Sequence, residues 1–348
     1  MEQQFTADCH YVPKFYIKNW SNDSKTVHVY RTVVKSKSDP LWSLNSIKSL
    51  PVIRNLYTSE SYGVEYDDLE KWFNIEIEKP ASVVLRKVTI GEHLSKSDYN
   101  ILIRFLAAQI VRTPKFFLQH LERIKRELPS ILNDTIQNMN KLLSFKSIDT
   151  SSLIHENNNI NTDQLPIRAH FITDTQHPYL QIEALPGRKM WQYEIKWLME
   201  HTEKVLHQHR WDIIKSAPNV NWATSDDPVI CLNYKDEHHY DFNGGWGRKN
   251  GNIIFPLSPH HLMFTEIGNK PSTSKLNNNT YFSSLMQKMI IEHAYLYVFA
   301  KEEIKMMYHF HPRKIDMGTY EKEIGAWKQW GELQHTLEKK WGEEARRS

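Results

Sequence analysis

Apolar residues recur along this chain with two periods, and the switches between them outline its elements. From Thr26 to Val34, β-branched and aromatic residues alternate with polar ones, which predicts a strand. Ser21-Asn22-Asp23-Ser24-Lys25 before it has turn chemistry, so the N-terminal segment and this strand are expected to form a small hairpin or sheet edge. After Asp67 the period lengthens. Leu69, Trp72, Phe73, Ile77, Val84 and Leu85 share one face of a helix running to Val88, with Pro80 splitting it into two pieces. Ser95 or Ser97 caps the next helix, where Ile101, Leu102, Phe105, Leu106, Ile110 and Val111 form a clear stripe. Pro114 interrupts that stripe and Phe117, Leu118, Leu121, Ile124 and Leu128 resume it. A kink or break is therefore expected near Arg112-Thr113.

Residues 144–166 lose the pattern; they are polar and Asn-rich and predict a long surface loop. Lys189 to Lys215 predicts another long helix. Two strand pairs are expected next: Trp222-Ala223-Thr224 with Val229-Ile230-Cys231-Leu232, and Ile253-Ile254-Phe255 with His261-Leu262-Met263-Phe264. Leu276 to Asn279 opens a helical stretch through Met289. Ala294 to Phe299 predicts a strand or buried run. The tail from Tyr320 is helical, with Ile324, Trp327, Trp330, Leu337 and Trp341 toward one side. No internal repeat is visible. The expected class is α+β, predominantly helical with a modest mixed sheet, as one domain over 1–300 and a C-terminal helical extension over 301–348.

Composition narrows the functional classes. The 348 residues are 40% hydrophobic and 12% aromatic, ample for a large core, and eleven are Trp. The net charge is +3 with Lys and Arg dispersed, which permits nucleic acid as a partner without a basic stripe to indicate it. Cys9 and Cys231 are the only cysteines and neither lies in a Cys-x-x-Cys pair, which excludes a thiolate zinc site and predicts reduced thiols. No apolar run reaches the length of a membrane span, and Met1 to Asp8 lacks the pattern of a signal peptide, so a cytoplasmic protein is expected.

The densest motif is His10-Tyr11-Val12-Pro13-Lys14-Phe15-Tyr16-Ile17-Lys18-Asn19-Trp20, which predicts an anchored segment near the N-terminus. With Ile77-Glu78-Lys79-Pro80-Ala81, Gln109-Ile110-Val111-Arg112-Thr113-Pro114 and Thr224-Ser225-Asp226-Asp227-Pro228-Val229, it resembles the bacterial domain-of-unknown-function family 4238. Members of that family open on a His-Tyr-Val-Pro-x-Phe-Tyr-Leu-x-Asn-Phe-like motif. The resemblance runs from residue 10 to about residue 300 and implies no known reaction.

Four residues in those motifs carry chemistry. His10 beside Tyr11, Phe15 and Tyr16 is a candidate base or metal ligand, or a buried imidazole that pins the segment to a carbonyl. Asn19 is expected to be a turn or capping residue. Glu70 and Glu78 lie about 80° apart around an ideal helix, close enough to share a site, and Glu78 matches the family-like pattern where Glu76 does not. Arg112 follows Arg104 and Ala108 on one helix face, with Gln109 three residues before it, and needs either a carboxylate such as Glu78 or an anionic ligand. Asp226 is a turn acid that could also serve as ligand or base, and the family pattern often carries Asn where Asp227 stands. The pairs His238-His239 and His260-His261, and His309-x-His311, lack a catalytic spacing. Asn243-Gly244-Gly245-Trp246-Gly247-Arg248 lacks the ending of a phosphate loop and is expected to be a mobile hairpin tip.

Two functional classes follow. The first is a metal-dependent hydrolase, a nuclease or phosphoesterase, in which His10, Glu78, Arg112 and Asp226 converge. Glu78 and Asp226 would hold Mg²⁺ or Mn²⁺, and Arg112 would steady the charge of a nucleic-acid or other phosphoester substrate. The second is a non-catalytic protein-binding subunit whose polar residues form a structural network, with the Trp-bearing C-terminal helix as a contact for a partner or a second copy. An anti-phage or toxin role suits either. A catalytic network lines an open cleft, whereas a structural one is sealed and internally paired.

Overall fold

The computed structural model describes residues 8–50, 52–54, 56–61, 64–145, 167–172 and 179–345. The polar loop expected over 144–166 lies, from residue 146 on, outside the described residues. Lys14–Ile17 (α1), Asp68–Trp72 (α2), Lys79–Ile90 (α3), Lys96–Val111 (α4) and Pro114–Phe145 (α5) are the first helices. Arg188–Leu206 (α6), Thr273–Leu276 (α7), Thr280–His293 (α8), Met307–Phe310 (α9) and Met317–Ala345 (α10) follow. Helices hold 49% and strands 21% of the structure, so the class is α+β and mainly helical.

The strands divide among several small sheets. Five antiparallel strands run in the order Asp212–Lys215, His261–Glu266, Gly251–Ser258, Ile230–Asp236, His239–Asp241. Four more run Thr224–Ser225, Tyr297–Ala300, Thr26–Arg31, Ser43–Ser46. The strand from Thr26 is thus interior to its sheet, and Asp8–His10 pairs elsewhere, with Val52–Arg54. Thr224–Ser225 and Ile230–Asp236, expected as partners, fall in different sheets. The Asp226-Asp227-Pro228 turn is where the chain leaves one sheet for the other.

Proline marks two irregularities, but only one is a break: 68–90 stays helical without interruption, so Pro80 does not split that helix in two. Pro80 has no N–H to offer the preceding turn and its ring crowds it. The chain answers with a π-helical turn over Phe73–Glu78, where Lys79 N donates five residues back to Asn74 O. Ser95 caps α4 in a capping box with Asp98, and α4 ends at Val111, one turn ahead of Pro114. The helix expected over Lys189–Lys215 stops at Leu206, whose carbonyl accepts from Trp211 Nε1 at 2.9 Å. Beyond it Asp212–Lys215 pairs antiparallel with His261–Phe264 as a strand. Two isoleucines that fitted a helical stripe serve a sheet instead.

The N-terminal motif is the bracket of the molecule. Tyr16, Ile17 and Trp20 are fully buried. The Tyr16 ring stacks on Phe255 at 5.5 Å and its hydroxyl donates to Pro256 O at 2.6 Å, beside Thr224 Oγ1 at 2.7 Å. Trp20 Nε1 donates to Trp222 O at 2.7 Å, and Asn19 Nδ2 to Leu257 O at 2.8 Å. Asn19 is therefore a long-range tie, not a local cap. The core around these rings takes in Phe73, Phe105, Phe117 and Trp191. Burying one phenylalanine such as Phe105 contributes about 1.5–3 kcal/mol. At the other end, α10 docks against the start of α6. Arg188 N donates to Gln334 Oε1 at 3.0 Å, and the buried Arg188 side chain pairs with Glu338 at 2.6 Å. A Cβ on Gly187 would stand 2.1 Å from that glutamine oxygen, so a larger residue there would make the Gln334 side chain move.

Candidate active site

Helix α4 brings Arg112 to its own end, where residue 113 before proline cannot continue the helix. The Arg112 side chain is wholly buried, and Nη1 donates to Glu78 Oε1 at 2.8 Å. With the Gln109 amide oxygen turned toward the guanidinium, it accepts from Nε at 2.6 Å and Nη2 at 2.7 Å. The guanidinium lies 5.3 Å from the Phe73 ring centroid, and Tyr57 Oη donates to the Arg112 carbonyl at 3.3 Å. Its surroundings are protein on each of these sides, so it acts on Glu78 and not on solvent.

Glu78 ends the π-helical turn and Glu70 lies in α2, eight residues earlier. Burial pushes the Glu70 carboxyl up to about 7, and the Glu78 charge adds to the push; Arg112 and Lys14 pull the other way. The two carboxyls thus share the field of one buried cation. Cys9 lies in the same field. Its sulfur accepts from Tyr57 N at 3.4 Å, and burial, then the Glu70 charge, push its thiol up to about 12. It is a packed thiol and no nucleophile.

Asp226 and His10 have other partners. Asp226 Oδ1 accepts from Tyr295 N at 3.0 Å and Oδ2 from Leu296 N at 2.8 Å, while Asp226 N donates to Tyr297 O at 3.1 Å. Burial pushes its carboxyl up to about 7 against the pull of those N–H donors. The residue clamps the loop before Tyr297 to the turn after Ser225. His10 Nε2 donates to Lys48 O at 3.2 Å and fixes the first described strand. Tyr11 is buried within the field of Asp226. Its hydroxyl is held far above the usual tyrosine range by burial, then by the Asp226 charge, with Tyr297, Tyr295 and Tyr57 also in its field. Of the four residues expected to converge, Glu78 and Arg112 touch directly, while His10 and Asp226 bond to other partners. Among the described residues, no group of three or more His, Cys, Asp or Glu side chains is placed to hold a metal ion.

A second polar cluster combines residues from three segments. Lys115 Nζ lies 2.8 Å from Asp227 Oδ2 and 3.2 Å from His293 Nε2. His293 Nδ1 donates to Asp227 O at 3.1 Å, which leaves Nε2 to accept from the ammonium. Burial lowers the His293 pKa, Lys115 lowers it further, and Asp227 opposes both. Lys115 follows the Pro114 break and Asp227 the Asp226 turn. That adjacency to two motifs was the available signal for Lys115; for His293, at the end of an ordinary amphipathic helix, there was none.

An α+β fold with two buried polar networks, each joining a helix break to a distant segment, defines the class of protein. Residues 9–303 match the family model described as "Protein of unknown function (DUF4238)", and the chain belongs to that family. No curated protein and no solved structure matches the chain. No helix among the described residues is long and apolar enough to cross a membrane.

Proposed function

We propose that the protein is a hydrolase whose acid–base pair is Glu70 and Glu78. The observation that carries it is the unequal setting of two carboxyls around one buried cation. Glu78 is ion-paired to Arg112, while burial and the Glu78 charge hold Glu70 protonated up to about pH 7. Two carboxyls set apart in this way divide the labour of hydrolysis: Glu78 takes a proton from water, and Glu70 gives one to the leaving oxygen. The π-helical turn that carries Glu78 adds support, since such turns recur at functional sites. Arg112 is a positioning residue here. Asp226 and His10 keep the framework in place, and both oxygens of Asp226 already accept N–H bonds, so a cation shared by Glu78 and Asp226 is left out of the proposal.

The test is a screen of phosphomonoester, phosphodiester, nucleic-acid and glycoside substrates, with and without Mg²⁺ and Mn²⁺. Glu70→Gln and Glu78→Gln are each expected to lower turnover at least a hundredfold, in line with general acid–base catalysis. Full turnover in either variant, or none in the wild type, rejects the assignment. The second function to weigh is a partner-binding subunit. It is favoured by the internal pairing of the buried Arg112 with Glu78 and Gln109, the mark of a structural network, and by Tyr193 and Trp197, which are 49% and 56% exposed one turn apart on α6.

A further inference from the structure

Arg248, at the end of the Asn243–Arg248 run, lines a pocket remote in sequence from the carboxylate pair, with Lys249 and Asn250 beyond it. Gly244 N donates to Cys231 O at 3.1 Å, and a Cβ on Gly244 would stand 2.6 Å from that oxygen. Glycine is required for the run to lie this close to the strand Ile230–Asp236. Gly251 N closes the turn onto Arg248 O at 3.0 Å, with Asn250 in the left-handed region at φ 67°. The run is tied at Gly244 to the strand Ile230–Asp236 and leads to Arg248 in the pocket lining.

Facing it, the hairpin of Ile230–Asp236 and His239–Asp241 carries a bulge between Tyr234 and Asp236 that leaves Lys235 unopposed. The pocket is open to solvent, measures about 460 Å³ and is lined by Tyr234, Lys235, Tyr240, Asp241, Arg248 and Lys249, among others. That volume falls within the range of roughly 300–1,000 Å³ usual for small-molecule sites. Three cations face one carboxylate. Asp241 accepts from Asn243 N and from Asn233 Nδ2, each at 2.8 Å, and these bonds hold its carboxyl below the usual range. His239 at the rim is matched by Asp236 at 2.8 Å. Arg248 also lies in the field of Asp241, so the excess of positive charge is carried mainly by Lys235 and Lys249. The Tyr240 ring is fixed by its hydroxyl donating to Glu292 at 2.5 Å and by Lys288 standing 5.2 Å from its centroid.

We propose that this pocket binds a phosphorylated small molecule with a flat ring, a mononucleotide by chemical class. The Arg248 fork and the two ammonium groups suit phosphate oxygens, and the tyrosines offer apolar ring surface beside them. The proposal is independent of the hydrolase assignment.

Isothermal titration of the full chain with ADP at low salt tests it, beside adenosine and inorganic phosphate. ADP is expected to bind at least tenfold more tightly than either fragment. The double variant Arg248→Ala/Lys249→Ala, at two exposed positions, is expected to lose at least tenfold in ADP affinity, and Lys235→Ala is a second variant with the same expectation. Glu70→Gln is expected to bind ADP as the wild type does, which separates this pocket from the carboxylate pair. Absence of ADP binding at millimolar concentration, phosphate binding as tight as ADP, or undiminished affinity in folded variants each overturns the proposal.

Discussion

Arg112 Nη1 and Glu78 Oε1 stand 2.8 Å apart, and the two ends of the pair have unequal access to water: the arginine side chain is wholly buried and the glutamate side chain is 21% exposed. Removing the glutamate strands a buried cation. Removing the arginine leaves a carboxylate that can turn to solvent. Glu78→Ala is therefore expected to cost about 3–5 kcal/mol, and Arg112→Met about 1–3 kcal/mol, chiefly from the unsatisfied Gln109 amide. Urea denaturation of both variants checks the order, and a larger loss in Arg112→Met contradicts it.

Glu70 sets a pH dependence of known sign. Its folded-state pKa is raised from 4.5 to about 7, so its contribution to stability is fully present below about pH 4.5 and is lost as pH rises through about 7. Above that range ionised Glu70 costs on the order of 2–3 kcal/mol. Asp226, whose carboxyl is likewise pushed up to about 7, adds a fall over the same range, so Glu70→Gln is expected to remove only the Glu70 share, gaining stability over the wild type at pH 8 and little at pH 5. Chemical denaturation at the two pH values measures the difference. Equal slopes in both proteins place the titrating group elsewhere.

The Lys115–Asp227–His293 cluster makes a pair of opposite predictions. Lys115 lowers the His293 pKa and Asp227 raises it, with burial the largest cause. Lys115→Met is expected to move the His293 pKa up, and Asp227→Asn to move it down. NMR titration of the imidazole reads both shifts. Movement in the same direction in the two variants means that repacking dominates over charge.

Much of this architecture was legible where a rule acts within one or two turns. Pro80, Pro114 and Ser95 set local backbone chemistry, and each marks a feature of the structure: the π-helical turn, the break at Arg112-Thr113 and the capping box. The Glu78–Arg112 pair was legible as an option, because a buried guanidinium has few solutions. Strand partners were not. Thr224–Ser225 and Ile230–Asp236 look like neighbours along the chain, but their pairing energies come from residues far away, at Val298–Phe299 and Gly251–Ile254. The end of α6 was hidden for the same reason. Ile213 and Ile214 fit a helical stripe, and only Met263 and Leu262 across the sheet make them a strand. His293 could not be found at all, since its partner Lys115 lies 178 residues earlier.

The bracket formed by Tyr16, Asn19 and Trp20 sets a timetable for synthesis. Their acceptors stand 240, 238 and 202 residues further along. At about 5–20 residues per second, a ribosome needs roughly 12–48 s to deliver the most distant of them. Throughout that interval this aromatic stretch has Trp20 and then Phe105 as ring partners but lacks Phe255 and its distant hydrogen-bond acceptors. Early folding must proceed around it, on the local helices from Asp68 to Val111, and the segment is among the last to be locked. Slowing translation ahead of Trp222 is expected to lengthen its exposure to proteases and chaperones without altering the finished molecule.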